Sequence, residues 1–197
     1  MTLTVQDINT DHQAYAAGRA AARKAMIPVR AERRVRVGDI LVFEFENLAT
    51  LRYQVQEMVY TERLSDPDDV AHEIEVYGRL MPTSHSLTAT MFVELKSTDS
   101  VREELRHLAG LQNAISLEID GETVPAEEIR GLDEDPSVPS ETVSVHMFRF
   151  PLGDVQRDKF RDPEVGVELA VDHDAYSDST PITGATRRSL IADLTLR

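Results

Sequence analysis

The chain has 197 residues, with 35 Asp and Glu against 21 Lys and Arg for a formal net charge of −14, and it contains neither Cys nor Trp. Without cysteine there is no disulfide framework, thiolate nucleophile, cysteine-held iron–sulfur cluster or Cys-based zinc site, so any metal must be held by His, Asp and Glu. The negative total opposes attraction to phosphate backbones and argues against bulk nucleic-acid binding, while 41 % hydrophobic residues suffice for one packed domain over 1–197.

The first thirty residues carry no continuous apolar stretch of signal-peptide type, and the acids Asp7 and Asp11 precede the first base. No apolar run approaches the roughly 20 residues that a membrane-spanning helix needs. The expectation is a cytoplasmic protein that stays out of the membrane. Thr10 or Asp11 is placed to cap an Ala-rich helix that stops before Pro28, because a residue preceding proline avoids the helical region. Together with the bases that follow, it makes an N-terminal helical and basic segment over about 1–36. The stretch 33–46 alternates around Gly38-Asp39, a hairpin signal. A helical period then runs from Thr50 to Leu64, and Asp66 before Pro67 starts a second helix reaching about Arg79. Strands are expected at 87–97, at 114–124 with a turn at Asp120-Gly121, at 143–152 and at 165–173. Helices are expected at 100–111, 154–161 and 184–194, and the acidic, Pro-containing stretch 131–141 reads as a surface loop. The sum is an α+β fold: a mainly antiparallel sheet with helices packed on one face, including an antiparallel helical hairpin.

Several of these segments together resemble an uncharacterised bacterial family, the domain of unknown function 3501. They are Arg33–Asp39, the Phe45-Glu46-Asn47 triplet, the helix Arg52–Leu64, and Glu73–Pro82, then 87–95, 143–150, Val171–Tyr176 and Ala185–Leu194. The chain departs from the family pattern at Leu48-Ala49, where Arg-Asp often follows the triplet. The resemblance implies a setting near rubrerythrin-like di-iron proteins and iron–sulfur oxidoreductases, and hence redox or peroxide metabolism, with a redox protein as partner.

At 100° per residue, Leu51, Val55, Met58 and Val59 form the core stripe of the first hairpin helix, and Glu62 falls on the same arc. On the second helix Val70, Ile74 and Tyr77 define the core face, and Glu73 projects within it. Pairing outward from the turn sets Glu62 about one helical turn, ~4.5 Å along the axis, from Glu73. Two carboxylates that close share a proton or need a cation between them. Glu57, Glu62 and Glu73 are therefore candidate ligands for a divalent metal such as iron or manganese. The competing reading has Glu62 reaching water at the helix end, with Glu57 and Glu73 paired to Arg52, Arg63 or Arg79. A ferritin-type centre needs two Glu-x-x-His pairs, and only Glu104-x-x-His107 has that form. His146 shares a strand face with Phe148 and Phe150 and reads as a core histidine. His173 reads as a local hydrogen-bonding group or a metal ligand with distant partners, and His12, His85 and His107 as exposed. There is no nucleophile elbow and no phosphate-cradling glycine motif.

Residues 19–36 hold seven bases against Glu32 alone. Arg30, Arg33, Arg34 and Arg36, with Arg52 and Arg63 on the next helix, are candidate anion or partner-binding residues, since arginine forks recognise carboxylate and phosphate. The other reading pairs these bases with acids of the same molecule. Two functional classes follow: an accessory protein that docks to a redox partner, or a carboxylate-based metal-binding protein or enzyme.

Overall fold

Turn chemistry explains the strand pairs. The structure, a computed structural model, describes residues 3–95, 101–131 and 142–195. β1 (Arg34–Val37) and β2 (Leu41–Phe45) form the expected hairpin, with Gly38 at φ +57° in its turn. β4 (Ile115–Ile119) and β5 (Glu122–Pro125) form another, in which Asp120 and Gly121 both take positive φ, the two-residue turn whose twist suits a hairpin. β3 (Ser86–Val93), β6 (Glu127–Glu128), β7 (Val145–Pro151), β8 (Val167–His173) and β9 (Tyr176–Pro181) complete two antiparallel sheets. The first runs β1-β2-β3-β7-β6 and the second β5-β4-β8-β9.

Alternation decides which faces meet. Ile115, Leu117 and Ile119 of β4 and Val167, Leu169 and Val171 of β8 point inward, against Leu41, Phe43 and Phe45 of β2 and Phe148 and Phe150 of β7, in one continuous core. The sheets are tied at one edge by Tyr176, whose hydroxyl donates to Val37 O at 2.8 Å, and by Thr180, which donates to Arg36 O at 2.7 Å. The second sheet is thus an addition to the single sheet expected. Every residue of β2 is buried, which requires cover on the outer face too. Of the first three helices, α1 (His12–Ala31), α2 (Leu48–Glu62) and α3 (Pro67–Gly78), α1 reaches that face through Arg30 beside Glu44 and α2 through Thr50, which donates to Glu46.

Helix boundaries follow from caps. Asp11 accepts from the backbone of Gln13 and Ala14 to start α1, Asn47 from Ala49 and Thr50 to start α2, and Asp66 from Asp68 to start α3. α2 therefore begins two residues before the expected Thr50. α1 runs through Pro28 rather than stopping before it. The proline removes one bond in the last turns of a helix with no buried residue, and Glu32 N–H still reaches Pro28 O at 3.3 Å. Val55 and Val59 of α2 and Val70 of α3 build a smaller apolar cluster with Leu3 and Ile8, flanked by Ile74 and Tyr77. α2 and α3 thus pack against each other through this cluster.

α4 (Val101–His107) ends four residues before the expected Leu111, where Gly110 at φ +92° leads into a short 3-10 turn over Leu111–Asn113, whereas α5 (Asp154–Arg161) and α6 (Gly184–Asp193) follow the expected segments. The acidic loop expected over 131–141 lies almost wholly outside the described residues, as does the end of the strand expected to reach 97. β6 and β9 carry no sequence signal: β6 is two residues long, and β9, reading YSDSTP, is a polar edge strand without an apolar period.

Candidate functional site

The basic segment is largely engaged inside the molecule. Arg33 is only 1 % exposed. Its Nε donates to Phe45 O at 2.7 Å, one terminal nitrogen to Ser189 Oγ at 2.9 Å, and the other to Glu46 O at 2.8 Å and to the carboxylate of Asp193. A guanidinium so enclosed cannot recognise a partner, which corrects its assignment as a docking residue. Burial raises the Asp193 carboxyl above the ordinary aspartate range, and Arg33 works against that rise. Arg34 and Arg36, both half exposed, converge on Glu94, and Arg36 also donates to Asp39 O at 3.1 Å. Arg30 Nε lies 2.8 Å from Glu44 Oε1 without hydrogen-bond alignment, and its guanidinium sits 5.2 Å from the centre of the Tyr53 ring. Arg52 donates to Asp7 O at 3.1 Å, and Arg63 ends α2 in the left-handed conformation, 5.8 Å from the Tyr60 ring. Among the bases of 19–36, Arg23 and Lys24 on the exposed side of α1 make no hydrogen bond or ion pair among the described residues.

The three candidate carboxylates do not converge. Glu57 is held by Arg19 through bonds of 2.7 to 3.1 Å and accepts the Tyr15 hydroxyl at 2.7 Å. The Arg19 guanidinium beside it keeps its carboxyl below the usual glutamate range. The pairing reading is thus the one seen for Glu57, but with Arg19 of α1 as partner in place of Arg52, Arg63 or Arg79. Arg79 instead donates to Arg130 O at 2.6 Å. Glu62 is exposed at the helix end, and Glu73 is half-buried on α3. Burial, then the Glu62 charge, push the Glu73 carboxyl up, and His72 opposes this. Among the described residues no group of three or more His, Asp or Glu is disposed to hold a metal ion. The reason is geometric: Glu57 lies on the side of α2 that faces α1, whereas Glu62 and Glu73 share the seam with α3.

The histidines divide as burial dictates. His146 is buried, its Nδ1 2.6 Å from Glu128 and its Nε2 accepting from Val143 N–H at 3.0 Å. His173 lies 3.1 Å from Ala109 O and accepts from Ala175 N–H at 3.2 Å, both structural contacts. His12 departs from its expected exposure: it packs 6.4 Å from Tyr60, and both ring nitrogens are buried without a hydrogen-bond partner.

The Phe45-Glu46-Asn47 triplet joins the outer sheet face to α2. The buried Glu46 carboxylate accepts from the hydroxyls of Thr50 and Thr90, and Asn47 caps α2. A strand run ending in an acid and a capping residue was the available signal for it. What no pattern revealed is a groove of about 730 Å³ between α1 and the first turns of α2. Ala22, Ala25, Met26, Leu48 and Tyr53 make much of its wall, with Arg52 and Asn47 among its polar residues. Asp7, Gln56 and Asp193 also line it, so two carboxylates and one guanidinium share the groove.

A family model described as Protein of unknown function (DUF3501) matches residues 2–194. The fold is similar to the crystal structure, at 1.90 Å resolution, of a protein from Burkholderia pseudomallei K96243 described as novel and of unknown function. The TM-score is 0.88 at 30 % sequence identity, covering 98 % of this chain and 99 % of that one. No curated protein matches the chain.

Proposed function

We propose that this chain, which belongs to the DUF3501 family, is a non-catalytic accessory protein that docks to an acidic partner through the outward face of α1. The observation that carries this reading is α1 itself. In twenty residues it holds Arg19, Arg23, Lys24 and Arg30 and no acid, on a molecule whose net charge is −14, and none of its residues is fully buried. Arg19 and Arg30 are engaged by Glu57 and Glu44, which leaves Arg23 and Lys24 as the cations available to a partner. Opposite charge on two surfaces speeds and orients their encounter without demanding a deep interface. The setting proposed is the cytoplasm and a redox or peroxide-handling system, with a rubrerythrin-like or iron–sulfur protein as partner, as the family resemblance implies. No helix among the described residues is long and apolar enough to cross a membrane.

The test is affinity purification from the native host at low and moderate salt, using the wild type and an Arg23→Glu/Lys24→Glu variant. The expected result is an iron-containing partner that is captured by the wild type, released by salt and absent with the variant, whose thermal midpoint is unchanged. Equal capture by the variant, or stoichiometric metal in the purified chain itself, overturns the reading in favour of a metal-binding protein.

A further inference from the structure

We propose that α1 is an autoinhibitory strap: seated on α2 and the first sheet it withholds Arg19 and Arg30 from an acidic partner, and lifted between its anchored ends it presents them. The inference rests on the docking reading and adds the regulation of that same helix. Its first support is that the seat fits poorly. Among the described residues, the buried side-chain nitrogens and oxygens that lack a hydrogen-bond partner are His12 Nδ1, His12 Nε2 and Arg30 Nε, and all three belong to α1, at its first residue and in its last turn. Polar atoms buried without partners oppose the arrangement that buries them, and lifting returns them to water. Little apolar burial is lost in exchange, because no residue of α1 is fully buried and a groove of about 730 Å³ separates its middle from the first turns of α2. Burial also holds the Glu44 carboxyl above the ordinary glutamate range despite the nearby Arg30, so that clasp is incompletely matched.

The second support is where α1 is fixed and what its seat hides. Before it, Leu3 and Ile8 pack with Val55, Val59 and Val70, and Asn9 exchanges bonds of 2.7 and 2.8 Å with Gln56. After it, Arg33 is fastened to Phe45, Glu46 and Asp193. The helix is thus tethered at both ends, and Pro28, which lacks an amide donor, loosens its last turns. Its Ala-rich sequence favours the helix even without packing. At 100° per residue Arg19, Arg23 and Arg30 lie within an arc of about 40°, a basic stripe roughly 16 Å long. The seat breaks that stripe. Arg19 is held by Glu57 and the Tyr60 ring 4.7 Å away, Arg30 lies against Glu44 and the Tyr53 ring 5.2 Å away, and of the three Arg23 alone stays outside. An acidic partner that engages the whole stripe must displace Glu57 and Glu44. Seat and partner therefore compete for the same guanidinium groups, and such a partner shifts the strap towards its lifted state.

The probe is a fluorescein-labelled deca-glutamate peptide, titrated by anisotropy at low salt into the full chain. Because the chain has no cysteine, spin labels at Ala21→Cys of α1 and Thr61→Cys of α2 read the position of the strap by pulsed electron paramagnetic resonance. Glu44→Gln/Glu57→Gln removes both clasps. Glu62→Gln/Glu75→Gln, at two exposed acids, makes the same change of net charge with the clasps intact. The clasp variant is expected to bind the peptide at least about fivefold more tightly than this control, the effect of two competing ion pairs that are partly exposed. Its label distances gain a longer component, which the peptide also induces in the otherwise wild-type labelled chain. Because Glu44 is buried, Glu57→Gln alone serves as the second variant and shows the same changes at smaller size. Equal affinity of clasp variant and control, with binding lost in Arg23→Glu/Lys24→Glu, overturns the strap and leaves the docking reading standing. A single label distance that neither peptide nor clasp variant alters overturns it as well. Peptide binding by none of these proteins overturns the docking reading and the autoinhibition with it.

Discussion

Glu57, Glu62 and Glu73 are the same type of side chain within 17 positions of one another, and their surroundings separate them. Glu57 meets a guanidinium and is stabilised as a carboxylate; Glu73 meets burial and a like charge and is held above the glutamate range. The consequence for stability has opposite signs. A carboxyl whose folded value is raised lowers stability when ionised, and that loss disappears once both folded and unfolded states are protonated. Glu73→Gln is therefore expected to raise the midpoint of urea unfolding at pH 7. The gain shrinks as pH falls through the raised folded value and is absent below the ordinary value of 4.5. Urea titrations of both proteins across this range check it, and a destabilised variant at pH 7 refutes it. The wheel identified Glu73 as lying within the apolar arc. It could not choose a partner for Glu57, because the side of α2 facing α1 is chosen by packing.

At the scale of elements, α1 is the exception. α2 and α3 bury an apolar stripe with Leu3 and Ile8, and the strands bury their inward faces, but α1 buries no residue fully. It rests on a line of half-exposed contacts, the best bonded of which is Glu57 accepting from Arg19 and from the Tyr15 hydroxyl, reinforced by Arg19 lying 4.7 Å from the Tyr60 ring. A helix attached mainly by polar contacts opens more readily than the core. Glu57→Gln is expected to speed amide exchange over 12–31 by about tenfold while leaving β3 amides close to wild type. Mass-spectrometric exchange on peptides of the two elements measures this, and a uniform change across both would mean that α1 is not an independent unit. The Ala-rich composition that marked α1 as helical is also what leaves the groove beside it open. The first property is local and legible along the chain; the second depends on how far α1 stands from α2.

For the whole molecule, the long-range bond between Arg33 and Asp193 decides the assembly. It fastens the start of the first sheet and the entry to α2 to the last turn of the C-terminal helix, over a separation of 160 residues. Removing one charge strands the other in the interior, at a cost of about 3–5 kcal/mol. Arg33→Met or Asp193→Leu alone is expected to lose that much in equilibrium unfolding, and the double substitution to recover a large part of it, since no unpaired charge is left. Additive losses in the double variant would show that the pair has no coupling of this kind.

Periodicity, caps and turn residues determined where the helices start, the two tight hairpins and the α+β class, because each depends on neighbours within a few positions. They also marked His146 as a core histidine and the inward face of α3. Only the tertiary structure decided that there are two sheets, that Arg33 lies in the interior, that Arg23 and Lys24 stay outside, and that Glu57 turns from the other acids. Those outcomes depend on charges and surfaces brought together from distant parts of the chain, and a run of seven bases carries no record of which of them will be met by an acid.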